Sequence, residues 1–240
     1  MNRNYAIVLA GGNGSRMGGR IPKQYMEVCG KPLLCHSLDV FEACTFIDGI
    51  VLVVRSEDID YCRESIINKY GYGKISSVVT GGARRCDSVM NGLSAVRDPG
   101  YVFIHDGARP CITPEILDRL YEDVKKYRTA VAAVPSKDTV KISDDDGFVR
   151  STPDRKNTWI IQTPQVFDTD LIKSAYENID EDSKDIITDD AMVMENYGRT
   201  AVKLTLSEYT NIKVTTPEDI SIAGEFLNLK KIKLPVDILI

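Results

Sequence analysis

Short apolar runs recur along the chain, each followed by a stretch in which apolar positions return every three or four residues. Residues 6–10, 50–54, 75–79, 101–105 and 130–134 are the runs, and each has the length of a buried strand. Behind the first, Pro32 opens a helix in which Leu33, Leu34, Ser37, Leu38 and Phe41 share one face. Residues 56–69 read as a partly polar helix, and 87–93 carry a helical pattern. Thr113-Pro114-Glu115 reads as a helix start, with Thr113 as cap and Ile116, Leu117, Leu120 and Val124 as the buried face. Strand and helix alternate often enough to predict an α/β fold with a doubly wound, mostly parallel, Rossmann-like sheet.

After Pro135 the alternation breaks. Residues 139–142, the turn Asp144-Asp145-Asp146-Gly147 and residues 148–151 read as a hairpin, too poor in apolar side chains to form its own core. An isolated hairpin is marginal. The protruding arm at 136–157 is therefore expected to pack on a second subunit, making a homodimer. Residues 159–161 resume the fold and lead into a polar loop, Gln162-Thr163-Pro164-Gln165. Residues 170–178 are expected as helix, and Thr188-Asp189-Asp190 as the capped start of a helix reaching about Tyr197. Strands are expected at 200–206 and 211–214, with Lys213 on the second. Thr216-Pro217-Glu218-Asp219 reads as a capping box opening the last helix, with Ile220, Ala223 and Leu227 facing inward. The reading is one domain at 1–228, arm included, and a tail at 229–240.

Composition narrows the classes. With 240 residues, 43% hydrophobic and 27% charged, the chain suits one well-cored globular domain. Its apolar runs are too short to cross a bilayer. Met1-Asn2-Arg3-Asn4 runs straight into the first strand, so no signal peptide and a cytoplasmic location are expected. The six cysteines lack CxxC spacing; Cys29, Cys35, Cys44 and Cys62 fall in or next to apolar patterns and read as small buried thiols, and only two histidines exist. A net charge of −5 gives no general nucleic-acid face, so an anionic substrate must meet a local cluster of cations.

The densest chemistry lies just behind the first strand. Ala10-Gly11-Gly12-Asn13-Gly14-Ser15 carries no bulky side chain, and Arg16 and Lys23 follow. A strand, a glycine turn and two cations suggest a triphosphate held on backbone N–H groups; the plainer reading is a tight turn with a solvated basic edge. A GxxxxGK[ST] loop is absent, and the stretch from Gly12 is one residue too long for GxGxxG. The acid expected after the second strand of a dinucleotide fold is absent too, since Arg55 stands there, which disfavours a nicotinamide-dependent oxidoreductase. Gly81-Gly82 is a second place for close backbone approach. His105-Asp106-Gly107-Ala108-Arg109-Pro110 ends the fourth strand, where ligands of open α/β sheets collect. Asp106 there either helps hold a divalent cation or pairs with Arg109 to pin the loop, and His105 reads as a core-edge imidazole.

Taken in order, these motifs resemble the 2-C-methyl-D-erythritol 4-phosphate cytidylyltransferases, over about residues 5–228. They are GxGxRMG at 12–18, PKQY at 22–25, GGxxRxDSV at 81–89, HDGARP at 105–110 and PxKDT at 135–139. QTPQ at 162–165, TDDA at 188–191 and NIKVTTPED at 211–219 complete the set. The same superfamily contains ribitol 5-phosphate cytidylyltransferases. Ala10-Gly11-Gly12 stands where the first branch usually has Ala-Ala-Gly, and Ala83 where many members carry an acid. Ala108, and Asp154-Arg155 ahead of Trp159, match the methylerythritol branch.

The resemblance implies a nucleotidyltransferase fold and transfer of a cytidylyl group from CTP to 2-C-methyl-D-erythritol 4-phosphate, with Mg²⁺. The alternative acceptor is D-ribitol 5-phosphate. It further implies Arg16, Lys23 and Lys213 as catalytic cations, and Ala10, Gly11, Gly12, Asn13, Gly14, Ser15, Gly82, Ser88 and Asp106 around CTP. Arg109, Thr139, Arg155, Thr163 and Thr188 are implied around the acceptor, Arg155 reaching it from the neighbouring subunit, and Asp106 beside the metal. A non-catalytic nucleotide-binding protein of the same fold would be expected to have lost a cation from this set, and Arg16, Lys23, Arg155 and Lys213 are all present.

Overall fold

The structure is a computed structural model and describes residues 3–12, 22–98 and 100–231. In chain order the strands are β1 (Tyr5–Leu9), β2 (Glu27–Val28), β3 (Lys31–Pro32), β4 (Gly49–Val54), β5 (Ile75–Thr80) and β6 (Tyr101–Asp106). They continue with β7 (Thr129–Pro135), β8 (Ile142–Ser143), β9 (Val149–Ser151), β10 (Trp159–Asp168) and β11 (Leu204–Leu206). The helices are α1 (Leu33–Ala43), α2 (Ile59–Tyr61), α3 (Arg85–Ala95), α4 (Pro114–Tyr127), α5 (Thr169–Glu177), α6 (Asp190–Tyr197) and α7 (Pro217–Lys231).

One seven-stranded sheet, ordered β11-β7-β10-β6-β1-β4-β5, forms the centre, and β10 alone runs antiparallel to its neighbours. The order reverses beside β1, which pairs with β4 on one side and β6 on the other. That reversal opens a crevice at the carboxyl ends of the strands, where a ligand can sit. Side chains alternate across the sheet, so each apolar run feeds two cores. Ala6, Val8, Leu52 and Phe103 pack with α1 and α4 on one face, and Ile7, Val51, Val53 and Ile104 pack with α3, α5 and α6 on the other. A smaller cluster of Val28, Leu33, Cys111, Val214, Ala223 and Leu227 seats α7 on the β2–β3 hairpin.

Several sequence expectations are corrected. The segment expected as one helix at 56–69 is a 3-10 turn (Ser56–Asp58), α2 and a π-helical stretch (Cys62–Asn68). The expected polar loop at 162–165 is the middle of β10, with a register shift between Ile161 and Gln165. Its polarity serves neighbouring loops instead of solvent: Gln162 Nε2 donates to the Glu208 carbonyl, and Gln165 Nε2 to Asp189 Oδ2. Only 204–206 of the expected strand at 200–206 joins the sheet, and 211–214 forms no strand. There the Asn211 amide donates to Gln162 Oε1 and to the Thr163 carbonyl, and Val214 N–H donates to Ala108. These contacts replace a ladder. Helix α7 runs through Lys231, past the expected domain end at 228, and the tail beyond it lies outside the described residues. The arm is a short β8–β9 hairpin whose Ile142, Phe148 and Val149 are 48%, 72% and 60% exposed.

At the end of β6, His105 is fully buried, with its ring edge-on to Phe41. The Arg109 carbonyl can only accept, so Nε2 carries the proton and donates to it at 3.2 Å. Thr163 Oγ1 accepts from Asp106 N–H and donates its own proton to Nδ1 at 3.2 Å. Burial pushes the imidazole down to about 4 and keeps it neutral. The unfolded chain therefore takes up a proton near the ordinary histidine value of about 6.5 that the folded chain refuses until about 4. Stability from this group is complete above the higher value and is lost as pH falls to the lower one. The expected loss is about 3 kcal/mol across that window, and His105→Asn should flatten it. Urea unfolding of both proteins at pH 7 and pH 4.5 measures the difference; equal slopes would show that burial of the imidazole is not the cause.

Candidate active site

Three backbone bonds tie the strand ends into one rim. Ala10 N–H donates to Val53 at 2.7 Å, Gly81 N–H to Val54 at 2.7 Å, and Gly107 N–H to Leu9 at 2.9 Å. Above that rim lies a cleft of about 460 Å³, walled on one side by Ala10, Gly11 and Gly12 and on the other by Gly81, Gly82 and Ala83. A Cβ on Gly82 would lie 2.3 Å from the Asp87 Cβ, so only glycine lets this turn fold against the start of α3. Ser88 Oγ accepts from Gly82 N–H at 3.0 Å and donates to the Arg84 carbonyl, which fixes the second turn.

Asp106 lies on the cleft between two cations. Its Oδ2 is 2.7 Å from Lys213 Nζ, and its Oδ1 is 3.5 Å from Arg85 Nε. Burial alone would raise its pKa; Arg85 and then Lys213 outweigh that and hold the carboxyl well below the usual carboxylate range. Arg85 in turn forks onto Asp190, with Nη1 and Nη2 at 2.9 and 2.7 Å from the two carboxylate oxygens. Asp190 is fully buried and takes a third bond from Tyr176 Oη at 2.5 Å. Burial raises the Tyr176 phenol well above its ordinary value, so it stays a donor. Lys23 reaches across the cleft and donates to the Val214 carbonyl at 3.0 Å, beside Lys213. Arg55 is occupied by Asp58 and Glu57, and Arg84 by Asp87 and Glu181.

Of the residues named from sequence, Ala10, Gly11, Gly12, Lys23, Gly82, Ser88, Asp106 and Lys213 line this one cleft. Asn13, Gly14, Ser15 and Arg16 lie outside the described residues. The set assigned to the acceptor does not line the cleft. Thr139 and Thr188 are exposed, and Arg155 is exposed in a 3-10 turn capped by Asp154. Thr163 is buried and bonded to Asp106 and His105. Arg109 donates from Nη1 to the Asn211 carbonyl at 2.8 Å, not to Asp106, and its buried Nε has no hydrogen-bond partner among the described residues.

Arg85, Gln24 and Asp190 lie in the quoted motifs, but the sequence gives none of them a role in the site. A signal existed for Arg85: a cation in the first turn of a helix is disfavoured by the helix dipole and needs another reason to be there. The sequence pattern makes Asp190 only part of a cap. Asp189 is the cap, accepting from Met192 N–H, and Asp190 is the buried partner of Arg85.

A sequence profile of the family described as 2-C-methyl-D-erythritol 4-phosphate cytidylyltransferase matches residues 5–229. The relative so named from Lachnospira eligens is 49% identical, over 93% of this chain and 99% of its own. That from Lachnoclostridium phytofermentans is 44% identical, over 95% and 97%. Among solved structures, a 4-diphosphocytidyl-2C-methyl-D-erythritol synthase from Anaerococcus prevotii superposes with a TM-score of 0.81 at 36% identity, covering 95% of this chain and 96% of that one. Likeness of this extent runs through both glycine turns and the Asp106 strand end to the last helix, and the chain belongs to the 2-C-methyl-D-erythritol 4-phosphate cytidylyltransferase family.

Proposed function

We propose that the cleft transfers a cytidylyl group from CTP to 2-C-methyl-D-erythritol 4-phosphate, giving 4-diphosphocytidyl-2-C-methyl-D-erythritol and pyrophosphate for isoprenoid precursor synthesis. The observation that carries this reading is one cleft with glycine backbone on two walls and Lys23, Arg85 and Lys213 around it. A phosphate oxygen of the acceptor attacks the α-phosphorus. The bond to the bridging oxygen breaks, and pyrophosphate leaves with that electron pair. The attacking phosphate is already anionic near neutral pH, so no side chain has to take a proton. The task is to bring two anions together and to oppose the charge that grows on the α-phosphate. Lys213 supplies fixed positive charge at Asp106, Lys23 supplies it at the Val214 carbonyl beside Lys213, and Arg16 is proposed as the third cation.

Magnesium is the proposed cofactor. Among the described residues no group of three or more His, Cys, Asp or Glu could hold a metal, and Asp106 is shared with two cations. A single carboxylate fits an ion held mainly by the triphosphate itself. Bound there, magnesium would neutralise phosphate charge.

For the acceptor, the orphan Nε of Arg109 is a buried donor that an anion could satisfy. Arg155 stands away from its own chain's cleft on an arm with exposed apolar side chains. Both facts support a homodimer in which each arm completes the partner's site. Among the described residues no helix is long and apolar enough to cross a membrane, and the cytoplasm is the proposed setting.

Pyrophosphate release with each of the four nucleoside triphosphates, then kcat/KM for both polyol phosphates at saturating CTP, tests the reaction. CTP and methylerythritol phosphate are expected to be preferred. Equal turnover with ATP or UTP would overturn the cytidine assignment, and ribitol 5-phosphate winning by more than about tenfold would overturn the acceptor.

The shared site is tested by mixing Lys213→Ala chains with Arg155→Ala chains, each inactive alone. Random exchange should restore about a quarter of wild-type sites, because one site of each mixed dimer has both residues intact. No recovery after demonstrated exchange would rule out sharing.

A further inference from the structure

Lys23, Gln24 and Tyr25 form a single 3-10 turn; Lys23 and Gln24 line the cleft, and Tyr25 acts on its wall through Asp58. Lys23 bonds the Val214 carbonyl beside Lys213. Tyr25 Oη donates to Asp58 at 3.2 Å, and Asp58 holds Arg55 on the cleft wall through two bonds of 2.7 Å. Gln24, only 2% exposed, has the task the reaction does not explain. Its Nε2 donates to the Ala10 carbonyl at 2.7 Å and to the Gly12 carbonyl at 3.3 Å.

Both carbonyls belong to the glycine turn behind β1. In a trans peptide the C=O and the next N–H point to opposite sides, so holding the Ala10 oxygen on Gln24 turns the Gly11 N–H away from it. A carbonyl oxygen carries partial negative charge, and two of them aimed into the cleft would repel a polyphosphate. Successive N–H groups aimed there would attract it. Glutamine suits the place because one nitrogen carries two N–H donors and no charge, which allows burial without a counter-ion. Methionine of the same length could fill the space but would leave both carbonyls free to rotate.

We infer that Gln24 is a positioning residue for the nucleotide: from the lining of the cleft its amide holds the Ala10 and Gly12 carbonyls, so that they do not face the phosphates and the turn offers them its N–H groups. This rests on the cleft taking a nucleoside triphosphate.

Two variants of nearly equal size separate this role from simple packing. Gln24→Met removes both donors, and Gln24→Glu removes them and adds a negative charge facing the two carbonyls. The expected result for Gln24→Met is a KM for CTP raised about tenfold, the scale of one lost hydrogen bond, with kcat within about threefold. The acceptor KM should not change. Gln24→Glu should raise the CTP KM about tenfold further through repulsion of the phosphates. A folded Gln24→Met protein with the wild-type KM for CTP, or a loss confined to kcat, overturns the inference. In case neither variant folds, the wild type is read directly: the Gln24 side-chain amide resonances should shift with CTP and with inorganic tripolyphosphate, and not with the acceptor. No shift at saturation overturns the inference as well. Wild-type pyrophosphate release with CTP is the control. If it is absent while tripolyphosphate still shifts the Gln24 amide, the reaction assignment fails and the role of Gln24 stands.

Discussion

The Asp106 carboxylate, held between Lys213 and Arg85, is the contact on which the rest of the site depends. Lys213 comes from the irregular stretch before α7, Arg85 from the first turn of α3, and Asp106 from the end of β6. Asp190 adds the start of α6, and Tyr176 adds α5. Four alternating charges sum to zero, which makes burial tolerable where any one of them alone would be costly. A buried pair of this kind is weak support for stability, because well-packed apolar side chains could replace it at little loss. It has a different merit here. Removing any partner strands a charge, so the network admits one arrangement and fixes Lys213 relative to the strand ends.

That arrangement also resolves a conflict between the whole protein and its cleft. The chain carries a net charge of −5, yet its proposed substrates are both anions. Around the cleft, Arg55 is tied to two acids and Arg84 to three, so they shape the walls more than they add positive charge. Lys23 bonds a neutral carbonyl, and Lys213 shares Asp106 with Arg85. Among the described residues the local field therefore rests on very few cations. Screening over about 8 Å at physiological salt keeps the negative remainder of the surface from cancelling them.

Much of the fold could be read from the chain, because parallel strands buried on both faces leave unbroken apolar runs such as 50–54 and 130–134. Thr113 was legible as a cap because its role is local: its Oγ1 accepts from Ile116 N–H three residues on. What failed was long-range. The 162–165 stretch looked like a loop because Gln162 and Gln165 spend their polarity on Glu208 and Asp189, positions no local pattern connects to them. Residues 211–214 looked like a strand and are instead pinned by Asn211. In the site, the glycines, Lys23, Asp106 and Lys213 were recognisable from ordered motifs. Arg85 and Asp190 lie 105 positions apart, and their pairing could only be seen in space.

Two walls of the cleft, at 10–12 and 81–83, are poor in side chains, so what they can select depends on the residues that hold their backbone. Ala10, Gly11, Gly12, Gly81, Gly82 and Ala83 present mostly backbone, which has no chemistry to vary from one sequence to the next. What such walls can do depends on where their peptide planes point. Those planes are set by Gln24 on one side and by Ser88 on the other. Neither residue has a reactive group in the transfer, so a search for nucleophiles, bases or metal ligands passes over both. A reaction that needs no proton removed and no covalent intermediate places its demands on orientation and charge. In this fold those demands fall on the Gln24 amide, the Ser88 hydroxyl and the Asp106 ion pairs, which line the cleft and hold its backbone and cations in place, so that a change of one atom in length would move the two glycine walls.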